Sequence, residues 1–222
     1  MDPNPEANHT HMKKIRDMSK EEKQIFSQRV QLYGGMLILV VSIALFLRWY
    51  NTNQIAEGIM PTPRKAVTPI TVTYYAQDDP LWADDALGET GYTMGEEGSL
   101  FACLSMMLES NAEITVTPSQ LNRQFMENGL YLDGKTANVT ALDTLYPEIS
   151  FSAPQDFSGE NITNELRRGR TCMVRVMRGE NVHWLLITGS DEETFFVLDP
   201  AQDSELRLLS DYEKVYALGI VK

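Results

Sequence analysis

Two cysteines, three histidines and three tryptophans in 222 residues leave little material for several kinds of protein. A disulfide-built scaffold needs more cysteine than this. A zinc site needs Cys or His at ligand spacing, and no such cluster exists, so neither metal nor cofactor is expected. Two of the histidines, His9 and His11, sit in the N-terminal tail, where two imidazoles on a flexible segment make no site. Basic residues are also scarce, 19 Lys and Arg against 31 Asp and Glu, for a net charge of −12. The shortage is uneven: residues 1–47 carry 6 basic and 5 acidic side chains, residues 48–222 carry 13 and 26. So acidic a body repels phosphate backbones and excludes nucleic acid as a partner. No internal repeat or low-complexity tract is present.

What is there begins with one long apolar run. Residues 30–47, VQLYGGMLILVVSIALFL, lie between Arg29 and Arg48 with Gln31 and Ser42 as the clearly polar members. Eighteen residues at 1.5 Å rise reach about 27 Å, enough for the hydrocarbon layer of a bilayer. Trp49 and Tyr50 supply interfacial rings at the exit. Lys13, Lys14, Arg16, Lys20, Lys23 and Arg29 precede the run, and Arg48 alone is basic between it and Arg64. The basic side stays in the cytoplasm. The pattern predicts a single-pass signal-anchor over 30–50 in the cell membrane, with the larger part outside. The 29-residue leader and the lack of a small-x-small site after Leu47 argue against a cleaved signal peptide.

The remainder divides by composition. Residues 1–29 form a cytoplasmic tail, disordered over 1–12 and helical over Ser19–Arg29. Residues 51–69, with Pro61, Pro63 and Pro69, read as a stalk, because proline fixes extended backbone. Residues 70–222 form the extracellular domain. Within it Ile70–Tyr74 reads as a strand and Asp78–Glu97 as a loop pinned by Trp82. Leu100–Leu108 reads as a buried helix starting at Gly98-Ser99. Thr117 caps a helix opened by Pro118 and running to about Asn128. A short helix is predicted over Thr140–Leu145, and another over Glu160–Arg168, capped by Ser158 and stopped by Gly169. The period then changes to two, and Thr171–Met177, His183–Thr188, Thr194–Leu198 and Val215–Ile220 read as strands. Helices followed by an antiparallel sheet predict an α+β fold with the helices packed on the sheet.

Polar residues at the ends of apolar elements are the candidates for chemistry, since they face clefts yet stay rigid. Ser99 starts the buried helix, His183 opens the strand HWLLIT, and Asp199 follows the strand TFFVL and precedes Pro200. A hydroxyl, an imidazole and a carboxylate are the parts of a nucleophile–base–orienter relay. The first N–H groups of a helix add stabilisation for a thiolate or an oxyanion.

Those residues fall in a wider order. Residues 75–108 (YAQDDPLWADDALGETGYTMGEEGSLFACLSMML) carry Gln77, a loop, and then a helix with small residues and a Met in its second turn. Gly169-Arg170 before a strand, His183 opening the next and Asp199-Pro200 closing a third complete the set. The ordered set, over most of residues 70–200, resembles the papain-like cysteine peptidases related to the double-glycine leader peptidases of bacteriocin export. The resemblance implies a papain-like α+β domain and a bacterial source. It also implies Gln77 in the oxyanion-hole role, His183 as general base and acid, and Asp199 as its orienter.

The chain departs from that pattern where the nucleophilic cysteine belongs: the residue there is Ser99. Cys103, one turn on, is out of reach of the helix-start donors and reads as a buried small hydrophobe. Cys103 and Cys172 both fall in apolar elements and are expected as free thiols. A serine here suits the papain arrangement poorly, because a thiol is ionised before attack whereas an alcohol needs its proton removed during it. The expected function is therefore a membrane-anchored, peptidase-like domain, inactive as written, that binds a peptide or protein. The alternatives are an active thiol endopeptidase captured with Ser at position 99, a working serine nucleophile, and a scaffold subunit of an envelope complex. Its partners would be an extracellular peptide or protein, a membrane protein, and the bilayer itself.

The acidic group Asp78, Asp79, Asp84 and Asp85 lacks calcium-loop spacing and reads as a solvated rim. Arg167, Arg168, Arg170, Arg175 and Arg178 read mainly as ion-pair partners, with docking of an acidic partner as the other possibility. The sequons at Asn138 and Asn161 are silent in a bacterium.

Overall fold

A computed structural model describes residues 19–222, with the side chains of residues 22 and 46–57 excepted. The predictions for residues 1–12, including His9 and His11, and for the rings of Trp49 and Tyr50 lie outside what is described. The chain divides into two units, one ending at Gln54 and one spanning Ile55–Lys222.

The first unit is made by helix α1 (Lys20–Glu57). It holds the one helix among the described residues long and apolar enough to cross a membrane, Lys23–Leu45, at a mean hydropathy of 1.5 and with none of its apolar window buried. Its apolar side chains are exposed on every side, Leu37 at 66% and Ile38 at 69%. A helix apolar all round and left uncovered has no stripe with which to pack on a soluble core.

The second unit is α+β. Helices α2 (Met94–Glu97), α3 (Ser99–Ala112), α4 (Pro118–Glu127) and α5 (Gly159–Arg167) accompany eight strands. Strands β1 (Tyr131–Leu132) and β2 (Thr136–Ala137) form a small hairpin. The main sheet contains β3 (Phe151–Ser152), β4 (Cys172–Arg178), β5 (Asn181–Ser190), β6 (Phe195–Leu198), β7 (Arg207–Leu208) and β8 (Val215–Val221). Its order is β3-β8-β4-β5-β6-β7, antiparallel throughout.

Both faces of this sheet are covered. One face gives Met173, Leu186, Leu198 and Val221 to a core with Phe101, Leu104, Leu108 and Phe125 of α3 and α4. The other gives Val174, Val176, Leu185, Ile187 and Leu218 to a second core with Ile162 and Leu166 of α5. Two-sided burial explains why β5 reads LLIT without polar alternation. Helix α3, buried over Phe101–Leu108, is the central element of the first core.

The local signals for the helices are met in detail. Thr117 and Gln120 form a reciprocal capping box at α4, with Pro118 as its first residue. Ser158 Oγ accepts from the Asn161 N–H at α5, and Gly169 beyond its end takes φ +78°. The segment predicted over Thr140–Leu145 is a 3-10 turn, Val139–Thr144.

Three readings differ. Ile70–Tyr74 is extended but joins no ladder; its link to the sheet is the Ile70 N–H to the Thr188 carbonyl at 2.9 Å. The end of the loop predicted over Asp78–Glu97 is the short helix α2. The stretch taken as a stalk, 51–69, begins as the last turns of α1 and then lies on the domain. Ile59 bridges to Val215 and Val67 to Ser190, while Pro61 and Pro63 are buried. A Cβ on Gly159 would sit 1.6 Å from the Thr62 carbonyl oxygen, so α5 is seated directly against this segment. Proline's fixed extended backbone serves a chain laid along a fold as well as one spanning a gap.

Candidate active site

The site is assembled where the N-terminus of α3 meets the sheet. Gly98 precedes Ser99, and a Cβ there would lie 2.3 Å from the Met94 carbonyl oxygen. Only glycine permits the direct passage from α2 into α3 that sets Ser99 at the helix start. The N–H groups of this first turn have no carbonyl within the helix. Ser99 itself is 2% exposed, and its Oγ accepts a hydrogen bond from the Trp184 backbone N–H at 3.2 Å. That contact ties α3 to β5 at the residue after His183.

His183 and Asp199 are a built pair. Leu186 is in register with Leu198, the last residue of β6, so Asp199 stands just past that strand, toward the His183 end of β5. His183 Nε2 and Asp199 Oδ1 are 2.6 Å apart, both buried. Oδ1 also accepts from the Ala201 N–H at 2.9 Å. Oδ2 accepts from the Tyr212 hydroxyl at 2.7 Å and from Gln202 Nε2 at 3.0 Å. Burial works to raise the Asp199 pKa. The hydrogen bond and charge of His183, the Tyr212 hydroxyl and the Ala201 N–H outweigh it and hold the carboxyl well below the usual carboxylate range. An ionised Asp199 is an acceptor, so Nε2 is the ring nitrogen that donates to it, and Nδ1 is the ring nitrogen outside that bond. No hydrogen bond joins that ring to Ser99 Oγ among the described residues.

Gln77 is also brought to the site. Its backbone N–H donates to the Pro200 carbonyl at 2.8 Å, beside Asp199. Its Nε2, the group an oxyanion role requires, donates to the carbonyls of Gly95 at 2.9 Å and Glu96 at 3.3 Å. The opposite end of the amide, Oε1, is buried without a partner. An acceptor turned inward offers an oxyanion nothing.

Cys103 and Cys172 are free and fully buried. Burial first, and the Asp199 charge second, push the Cys103 thiol well up; burial pushes Cys172 to about 12. Neither is a nucleophile at neutral pH. Trp82 is a loop anchor, its Nε1 donating to the Ala76 carbonyl at 2.9 Å and its ring edge-on to Tyr75. Asp79 and Asp85 serve turns and contacts: Asp79 Oδ1 accepts from the Leu81 N–H, and Asp85 Oδ2 from the Ser119 hydroxyl. Arg168 and Arg170 both reach the buried Glu165, each at 2.7 Å.

Sequence reasoning missed Tyr212 and the Trp184 N–H. Tyr212 follows a 3-10 turn (Leu209–Asp211) in a segment without period, so nothing in its spacing marks it. Tyr74 adds a brace from the far side, its hydroxyl donating to the carbonyls of Asp199 at 3.0 Å and Gln202 at 2.9 Å.

The Asp199 geometry has a consequence for stability. Its carboxyl ionises at lower pH in the fold than in the unfolded chain, so its contribution is whole above about pH 4 and is withdrawn as pH falls further. Thermal unfolding followed from pH 5 to pH 2 should show a steep loss in the unaltered protein. Asp199→Asn should start less stable and show a shallower loss.

Beside Ser99 opens a cavity of about 410 Å³ whose walls include Leu100, Phe101, Tyr131 and Trp184. The hairpin β1–β2 closes one side of it. The arrangement therefore has a buried imidazole–carboxylate pair, a hydroxyl at a helix start and an adjoining ligand-sized pocket. No family model and no curated protein matches this chain. Among solved structures it is similar to a candidate C39-like peptidase from Bacillus anthracis, at 15% identity over 71% of this chain and 98% of the other, with a TM-score of 0.47.

Proposed function

We propose that this is a membrane-anchored, peptidase-like domain that binds an extracellular peptide or protein without cleaving it. The observation that carries the reading is the state of Ser99. It is 2% exposed, its oxygen is occupied by the Trp184 N–H, and it is not hydrogen-bonded to His183. An alcohol nucleophile must give its proton to a base within reach as it attacks, and a hydrogen bond to such a base is missing here. The oxyanion side is equally unprepared, with the Gln77 amide hydrogens directed at Gly95 and Glu96. What is kept is a groove, the 410 Å³ cavity at the head of α3. A fluorophosphonate probe, which labels activated serines, should leave the protein unmodified. Labelling that disappears in Ser99→Ala would make Ser99 a working nucleophile.

The complete His183–Asp199 pair supports a second reading, a thiol endopeptidase in which serine has taken the place of the nucleophilic cysteine. The basic excess ahead of the span supports a topology with positions 1–29 in the cytoplasm and the Ile55–Lys222 unit outside. In intact cells Pro5→Cys should resist a membrane-impermeant thiol reagent, and Met60→Cys, at a position 38% exposed, should react. The reverse pattern would invert the topology.

A further inference from the structure

The pocket beside Ser99 is lined by the apolar and aromatic side chains of Leu87, Leu100, Phe101, Tyr131 and Trp184. Three charged residues, Arg175, Lys135 and Glu97, line it as well. Among the described residues none of the three forms an ion pair with another side chain. Arg175 is the telling one. It stands on β4 in register with Trp184 on β5, the residue whose N–H holds Ser99. It is half-buried, and no carboxylate among the described residues pairs with it. Acidic residues outnumber basic ones 26 to 13 over residues 48–222. In that acidic body Arg175 still lacks a carboxylate partner among the described residues. Glu97 offsets one of the two cations, and the lining keeps a net positive charge.

We infer that this pocket takes a large apolar side chain from an acidic peptide segment. The rings and leucines hold the side chain, and Arg175 with Lys135 holds a carboxylate on a neighbouring residue. A cavity of about 410 Å³ has room for one such side chain and part of the backbone flanking it. A guanidinium–carboxylate contact is charge-assisted, and the planar fork of Arg175 makes it selective for a planar acid. The inference rests on the peptide-binding reading above and adds the chemistry of the ligand.

The test is calorimetric titration of the full chain, in a neutral detergent, with acetylated and amidated hexapeptides. Each carries a central Leu or Phe flanked on both sides by Asp, Asn or Lys. Asp-flanked peptides should bind at least about tenfold tighter than their Asn twins, and Lys-flanked ones weakest. Arg175→Gln should remove most of that preference while leaving the Asn peptides within about twofold. Ala137→Trp, which fills the pocket, should weaken all of them. Equal affinity for Asp and Asn peptides, or a preference that survives Arg175→Gln with Lys135→Gln, overturns the inference but leaves peptide binding standing. Failure of every peptide to bind overturns both.

Discussion

Ser99→Cys should react with iodoacetamide at pH 7 about tenfold faster than an ordinary exposed thiol, far above the cysteines of the unaltered protein, and His183→Ala in the same background should abolish the gain. The background is low because Cys103 and Cys172 are buried and their thiols are pushed up in pKa. A thiol at position 99 meets different conditions. It would sit in the first turn of α3, where unpaired N–H groups favour the anion. It would also face a histidine whose Nε2 is committed to Asp199. A shift of about one unit below the ordinary thiol pKa raises the thiolate fraction at neutral pH by about tenfold. Greater activation is not expected, because Ser99 is 2% exposed and has no hydrogen bond to the His183 ring. Mass spectrometry of the alkylated protein gives both the rate and the site. Labelling no faster than the parent background, or indifferent to His183, would mean that the relay no longer acts as a unit.

Asp199→Ala should be the most destabilising change at the site, by about 3–5 kcal/mol. Asp199 has no exposed surface and accepts from His183, Tyr212, Gln202 and the Ala201 N–H. Alanine leaves the Tyr212 hydroxyl and the His183 ring without their acceptor inside a dry core, and unpaired buried donors carry the full cost of lost water. For a unit of this size each kcal/mol lowers the unfolding midpoint by about 2–4 °C, so a fall of about 10 °C is expected. Tyr212→Phe removes one of the donors and should cost about 1 kcal/mol. A midpoint within 2 °C of the parent for Asp199→Ala would show that the carboxylate is not the centre of this network.

Much of the fold follows from short local signals. Thr117-Pro118, Ser158 and Gly169 bound their helices because each satisfies or ends a helix terminus by itself, whatever surrounds it. Strands β4, β5, β6 and β8 carry enough apolar residues to be read directly. Elements defined by partners were not legible. Strands β3 and β7 are two residues long and exist through pairing with β8 and β6. The proline segment from Pro61 to Pro69 has the same composition whether it hangs free or lies against α5 and β5. Of the site, His183 and Asp199 stand out because each borders an apolar run, although β5 begins two residues before His183, at Asn181. That Asp199 would also gather Tyr212 and Gln202, and that the Gln77 amide would turn toward Gly95, depends on loop paths with no period.

The central claim, binding without turnover, is tested most directly by incubating the purified full chain with a defined library of peptides and following every member by mass spectrometry. Bound peptides should be recovered intact, at pH 5 through 8, with Ser99 present and equally with Ser99→Ala. Cleavage at a consistent bond that is lost in both Ser99→Ala and His183→Ala would contradict the claim and make the relay of Ser99, His183 and Asp199 a working one.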